Sequence, residues 1–150
     1  MSDNWIVLIP QDPQYLPTPE QQESASRRLR EILSEADEIE VSVSPTVQYF
    51  DCGGNFESVA CPHCGTHLDD GWWPETMSDD YDDGFKLAQY ELPCCARQVG
   101  LQDLVYEKPQ GFGKFGLSAM NPGFADLNEQ QLKELEEILG TKLQKIYQHI

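Results

Sequence analysis

Apolar positions along this chain follow two different periods, and the elements can be read from them. Trp5-Ile6-Val7-Leu8-Ile9 is an unbroken apolar run closed by Pro10, the pattern of a strand buried on both faces. Ala25, Leu29, Ile32, Leu33 and Ala36 then recur at helical spacing and predict an amphipathic helix over 19–35. Its start is marked by Thr18 as N-cap, Pro19 at the first helical position and Gln21 where a capping box needs it. Ile39, Val41 and Val43 alternate with Glu38, Glu40, Ser42 and Ser44, as in a strand with one wet face. Pro45 marks a turn, and residues 47–50 read as a hairpin partner for that strand.

The second half repeats the theme. Phe115, Leu117 and Ala119 alternate with Gly116, Ser118 and Met120, and Asn121-Pro122-Gly123 ends that strand with turn chemistry. A helix over 129–139 follows, capped by Asn128 with Gln131, stapled by Leu127 and Leu132, and stopped by Gly140. The final residues, 143–150, fit either a closing strand or a helix, since Leu143, Ile146, Tyr147 and Ile150 have helical spacing. Residues 52–100 have little period of their own and read as an insert.

The order strand, helix, strand, strand, insert, strand, helix predicts an α+β fold with both helices on one face of a mostly antiparallel sheet, covering Ile39, Val41 and Val43. A ferredoxin-like or related two-layer sandwich with an inserted zinc knuckle fits best. A chain of 150 residues makes one domain, 1–150, that needs no disulfides to build a core.

Four of the five cysteines gather at two points inside the insert, as Cys61-Pro62-His63-Cys64-Gly65 and as Pro93-Cys94-Cys95. Two residues between thiols let a tight turn aim both sulfurs at one ion, and a second cysteine source completes a tetrahedral Zn(II) shell. The second source is an adjacent pair, which can ligate only where the backbone bends sharply. Pro93 favours such a bend by fixing its own φ and restricting Leu92. A structural zinc on Cys61, Cys64, Cys94 and Cys95 is expected, with His67 and then Cys52 as alternatives for the fourth position. The Cys-Pro-His-Cys motif also resembles the redox dithiol of bacterial thioredoxin-superfamily disulfide oxidases, so a thiol–disulfide oxidoreductase using Cys61 and Cys64 is the alternative function. That motif should open a long helix, whereas here Gly65 follows at once.

Charge narrows the partners. With 26 acidic against 10 basic residues the net charge is −16, which opposes binding to nucleic acid. Asp69, Asp70, Glu75, Asp79, Asp80, Asp82 and Asp83 crowd one stretch together with Trp72, Trp73 and Tyr81. Acids with aromatic anchors suit a docking surface for a basic protein, and Trp72, Trp73, Asp79, Asp80, Asp82 and Asp83 are its candidate residues. The start Met1-Ser2-Asp3-Asn4 has no basic region before its short apolar run, and no apolar stretch reaches the length of a membrane span; a cytoplasmic protein with reduced thiols and no membrane partner is expected.

No catalytic residues are assigned. Gly111-Phe112-Gly113-Lys114-Phe115-Gly116 matches GxGxxG in form, but it leads into a strand-like stretch instead of a helix. No GxxxxGK[ST], GxSxG or HExxH occurs. Taken together, Asp51-Cys52-Gly53-Gly54-Asn55-Phe56-Glu57, the Cys61–Gly65 motif, Trp72-Trp73, Pro93-Cys94-Cys95 and Asn121-Pro122 resemble a family of small uncharacterised bacterial proteins with CPxCG and PCC zinc-knuckle elements. Relatives carry glycine where this chain has Ala96, and the resemblance implies no activity. The resulting expectation is a non-enzymatic, zinc-stabilised acidic interaction module, in the form of an immunity protein or inhibitor of a basic toxin or nuclease.

Overall fold

The computed structural model describes residues 3–150. The frame consists of β1 (Asn4–Pro10), α1 (Pro19–Ile32) and β2 (Glu38–Phe50). The insert carries β3 (Val59–Ala60), α2 (Trp72–Asp80), β4 (Tyr90–Glu91), β5 (Gln98–Val99) and β6 (Val105–Tyr106). The frame then resumes with β7 (Gly111–Met120), α3 (Glu129–Leu139) and β8 (Leu143–His149). The four long strands form one antiparallel sheet in the order β2-β7-β1-β8. This is the expected α+β architecture.

Both predicted helix starts form as capping boxes. Gln21 N donates to Thr18 Oγ1 at 3.2 Å and Thr18 N to Gln21 Oε1 at 2.8 Å, while Asn128 and Gln131 exchange the same pair at 2.8 and 3.0 Å. α1 ends three residues before its predicted limit; α3 ends where Gly140 takes a left-handed φ of 75°. The helices lie side by side on one face of the sheet. Ala25 and Leu29 of α1 and Leu135 and Leu139 of α3 share a core with Ile6, Leu8, Phe115, Leu117 and Ala119. Arg28 grips Glu134 across the helix pair, Nε to Oε2 at 2.6 Å and Nη2 to Oε1 at 3.2 Å.

Two expectations need correction, and an alternative left open at the end of the chain is decided. Residues 38–50 are one strand and not a hairpin: β2 stands at the sheet edge, and its pairing with β7 slips between Val43 and Gln48, where Pro45 sits. An edge strand with a bulge tolerates a residue that cannot donate to the ladder. Val41 and Val43 are not covered by the helices, being 40% and 52% exposed; only Ile39 packs on the shared core. The final segment is a strand. Leu143 faces the helices while Ile146 faces the other way, so burial on both faces produced apparent helical spacing.

The insert occupies 51–110, wider than the sequence suggested, and has a core of its own. Val59, Leu68, Leu92, Val99, Leu101 and Leu104 pack with Val47 and Phe112 from the far ends of β2 and β7. Its first residues cover the sheet face away from the helices. Cys52 is fully buried against Val7, Ile9 and Ile146, and Gly54 N donates to His149 O at 2.7 Å. Gly53 has φ +60°, and a Cβ there would lie 2.2 Å from the His149 carbonyl oxygen.

Gly53 and Gly123 therefore offer a controlled comparison. Gly123 also has a left-handed φ, +71°, but nothing lies within 4 Å of a Cβ built on it. Gly123→Ala should cost about 1–2 kcal/mol for backbone strain. Gly53→Ala should cost this plus about 1–3 kcal/mol for overpacking. Urea denaturation of the two variants checks it; equal losses would show that the 52–54 segment is not held against β8.

Candidate metal centre

The insert brings two hairpin turns together. In the first, Cys61 N donates to Thr66 O at 2.9 Å and Gly65 N to Cys61 O at 3.0 Å; in the second, Leu92 N donates to Arg97 O at 2.8 Å and Ala96 N to Leu92 O at 2.9 Å. Gly65 and Ala96 close these turns with φ of +75° and +60°. The turns thus superpose residue for residue: Pro62 matches Pro93, Cys64 matches Cys95 and Gly65 matches Ala96. Cys61 is matched by Leu92, which is 1% exposed and belongs to the insert core, while Cys94 takes the place of His63. A left-handed alanine costs about 1–2 kcal/mol over glycine, so the second turn is held by its surroundings.

The four sulfurs of Cys61, Cys64, Cys94 and Cys95 all lie within 4.8 Å of one another. Cys61 Sγ and Cys95 Sγ are 3.8 Å apart. A tetrahedron with Zn–S bonds of about 2.3 Å has S···S edges of about 3.8 Å, which the Cys61–Cys95 edge matches while the other edges stay within 4.8 Å, close enough for one ion to reach all four sulfurs. Cys61 Sγ accepts from His63 N at 3.3 Å and Cys64 N at 3.4 Å. The alternative fourth ligands fall elsewhere: Cys52 is in the frame core, and His67, exposed, lies outside the four-residue cluster. His63 turns outward, with Nδ1 3.1 Å from Arg97 Nη1.

The thiols titrate unequally. The Thr66 hydroxyl and backbone lower Cys64 to about 6, while burial and then the neighbouring thiols push Cys94 up to about 12. At Cys61 burial opposes ionisation, but the amides of Cys64 and His63 outweigh it and lower the value. Thiolates this close repel, so the cluster either keeps protons or holds a cation.

The Cys-Pro-His-Cys turn leads into a β-bridge between Ala60 and His67, and the next helix, α2, starts at Trp72. Among the described residues no thiol sits at a helix N-terminus, the setting of the thioredoxin-type dithiol. The GxGxxG match lies within β7, where a Cβ on Gly116 would meet the Phe50 ring at 2.6 Å; these glycines make room for packing.

The acidic stretch divides. Trp73 stacks on Phe56 at 5.5 Å, meets Tyr49 and Tyr106 edge-on, and donates Nε1 to Tyr106 Oη at 3.3 Å. Trp72 packs on the same core. Both tryptophans are anchored in the insert instead of projecting as free anchors, because an indole this large buries against the nearest apolar cluster. Asp80 is also misplaced in the sequence reading: it is 2% exposed and accepts from Leu87 N at 2.8 Å, Ala88 N at 3.1 Å and Tyr90 Oη at 2.8 Å. Asp79, Asp82 and Asp83 remain exposed, beside the half-exposed Tyr81.

No family model matches this chain, and neither a curated protein nor a solved structure does. The bacterial-family resemblance therefore rests on its motifs alone. Among the described residues, no helix is long and apolar enough to cross a membrane.

The fate of Asp80 gives a direct check. Asp80→Asn replaces one acceptor oxygen with a donor facing amides, and hydrogen bonds to a charged group are worth about 1.5–3 kcal/mol. Stability should fall by about that amount in urea melts, whereas Asp79→Asn should stay within about 0.5 kcal/mol of the parent. Similar behaviour of the two would return Asp80 to the surface set.

Proposed function

We propose that this chain is a non-enzymatic protein-interaction module whose acidic insert is held in shape by one structural Zn(II) on Cys61, Cys64, Cys94 and Cys95. The observation that carries the reading is the convergence of two matched turns on four sulfurs that all lie within 4.8 Å of one another. Four thiolates fill a zinc shell and leave no position for water or substrate, so the ion acts as a crosslink. The frame is read as ferredoxin-like, supported by two strand-helix-strand units interleaved as β2-β7-β1-β8. The partner is a basic protein met by Asp79, Asp82 and Asp83, and the biological form is an immunity protein or inhibitor in a bacterial cytoplasm. The chain's charge of −16 supports a basic partner over nucleic acid.

Metal analysis of freshly purified protein tests the site. One zinc per chain is expected, lost in Cys61→Ser. Metal binding to thiolates is coupled to folding, so chelation should raise hydrogen exchange throughout 51–110 and leave the helix-side core of β1, α1 and α3 protected. Metal-free protein with a reversible Cys61–Cys64 disulfide would replace this reading with the oxidoreductase, and stoichiometric iron would replace the zinc.

The partner surface has a separate signature. Reversing Asp79, Asp82 and Asp83 to lysine should slow association with a basic protein captured from the native host and flatten its salt dependence, with little change in dissociation. Association insensitive to both salt and these substitutions would remove the acidic surface from the model of binding.

A further inference from the structure

The two edges of the main sheet are finished differently. At β8 the chain covers the outer side of the strand itself: Gly53 bridges His149, Asn55 Nδ2 donates to Tyr147 O at 3.0 Å, and Glu136 Oε2 accepts from Leu143 N at 2.8 Å. At β2 nothing does this. Among the described residues, no hydrogen bond reaches 38–43 from outside the ladder with β7, so the outward N–H and C=O groups of this stretch are unpaired. Glu40, Val41, Ser42 and Val43 are exposed in succession, on both faces of the strand.

The side chains along this edge sort by face. Ile39 packs on the helix-side core, so Val41 and Val43 lie on that face beyond the cover of the helices. Val41 lines a groove of about 400 Å³ with Gln22, Glu23, Ser26 and Arg27 of α1, where Arg27 and Glu23 pair at 2.9 Å. Glu38 and Glu40 stand on the opposite face, next to Asp37, and none of the three takes part in an ion pair. Arg30 is held on Ala36 O at 2.8 Å, and Lys114 lines a groove with Ser42 and Ser44, at the far end of the stretch. The start of the edge is therefore acidic, with apolar side chains on its reverse.

We infer that the 38–43 edge of β2 takes an extended basic segment of a partner protein as a fifth strand. Unpaired main-chain groups at the spacing of a strand recognise another strand. Alternation then sets its side chains: apolar ones beside Val41 and Val43 along the α1 groove, Lys or Arg opposite Glu38 and Glu40. Charge on an edge deters strands of the same sign. A second copy would add its own Glu38 and Glu40 to the junction, whereas a basic strand neutralises both. The added strand stops near Val43, because the register of β2 shifts between Val43 and Gln48. The inference does not rest on the metal centre or on Asp79, Asp82 and Asp83.

Amide hydrogen exchange of the full chain, read residue by residue, tests this with a blocked peptide of alternating Lys and Val as the probe. Alternate amides of 38–43 should gain at least about tenfold protection at saturating peptide. The same peptide N-methylated at every residue keeps its charge but loses its main-chain donors, and should bind at least about tenfold more weakly. Glu38→Lys with Glu40→Lys should weaken the unmethylated peptide by at least about tenfold and leave the urea midpoint unchanged, since both side chains are exposed. Asp79→Lys with Asp82→Lys and Asp83→Lys should keep the protection at 38–43. Equal binding of the methylated peptide, which is adhesion of charge alone, overturns the inference, as does protection that spares 38–43. Protection of 38–43 that rises with protein concentration in the absence of peptide gives the edge to a second copy and overturns it too.

Discussion

The pairing of Phe50 with Gly111 is the constraint on which the insert depends. These residues end β2 and begin β7 as directly opposed partners in the ladder, so the insert leaves and re-enters the frame at one place. An excursion whose ends are already joined pays its closure entropy once, through the sheet, and its length is then weakly penalised. What remains is to order the interior of the excursion. A core of Val59, Leu68, Leu92, Val99, Leu101 and Leu104 contributes to this, and the far ends of β2 and β7 lend it Val47 and Phe112. The frame strands are long because they serve two cores in succession.

A four-thiol cluster is well placed in such a unit. Cys61 and Cys64 lie in the turn after β3, and Cys94 and Cys95 in the turn between β4 and β5. An ion joining them would close the loop containing α2, which is held through Trp73 against Phe56, Tyr49 and Tyr106. The buried Asp80 carboxylate ties the end of α2 to Leu87, Ala88 and Tyr90, just ahead of the second turn. The acids that survive as surface charges are thus carried on a segment fixed at both ends, which presents them in one geometry.

The frame was largely legible from residues 4–43 and 115–140, because capping boxes and alternation are local signals and the local answer agreed with the tertiary one. Legibility failed where a residue serves a tertiary purpose. Pro45 reads as a turn but lies in an edge-strand bulge. Leu143 and Ile146 have helical spacing, which left strand and helix both open, but they bury against opposite faces of a strand. Asp80 reads as one more surface acid, and nothing local tells that Leu87, Ala88 and Tyr90 converge on it. The clustering of the four cysteines was legible because spacing is local, and aligning Pro62 with Pro93 would also have revealed that Cys95 matches Cys64 and Ala96 matches Gly65.

That alignment leaves Leu92 where a regular pair of turns would have a cysteine. A leucine there is 1% exposed within the insert core, so the position has been given to packing, and its sulfur has been replaced by Cys94 two residues on. Moving a ligand from the first to the third position of a turn is possible only if the two turns approach from different directions, since the sulfur vectors must still meet. The second turn therefore cannot be a copy of the first in its orientation toward the sulfur cluster, although its backbone hydrogen bonds are the same. The adjacent cysteines that look irregular in the sequence are the consequence of burying Leu92 and keeping four sulfurs within 4.8 Å at the same time.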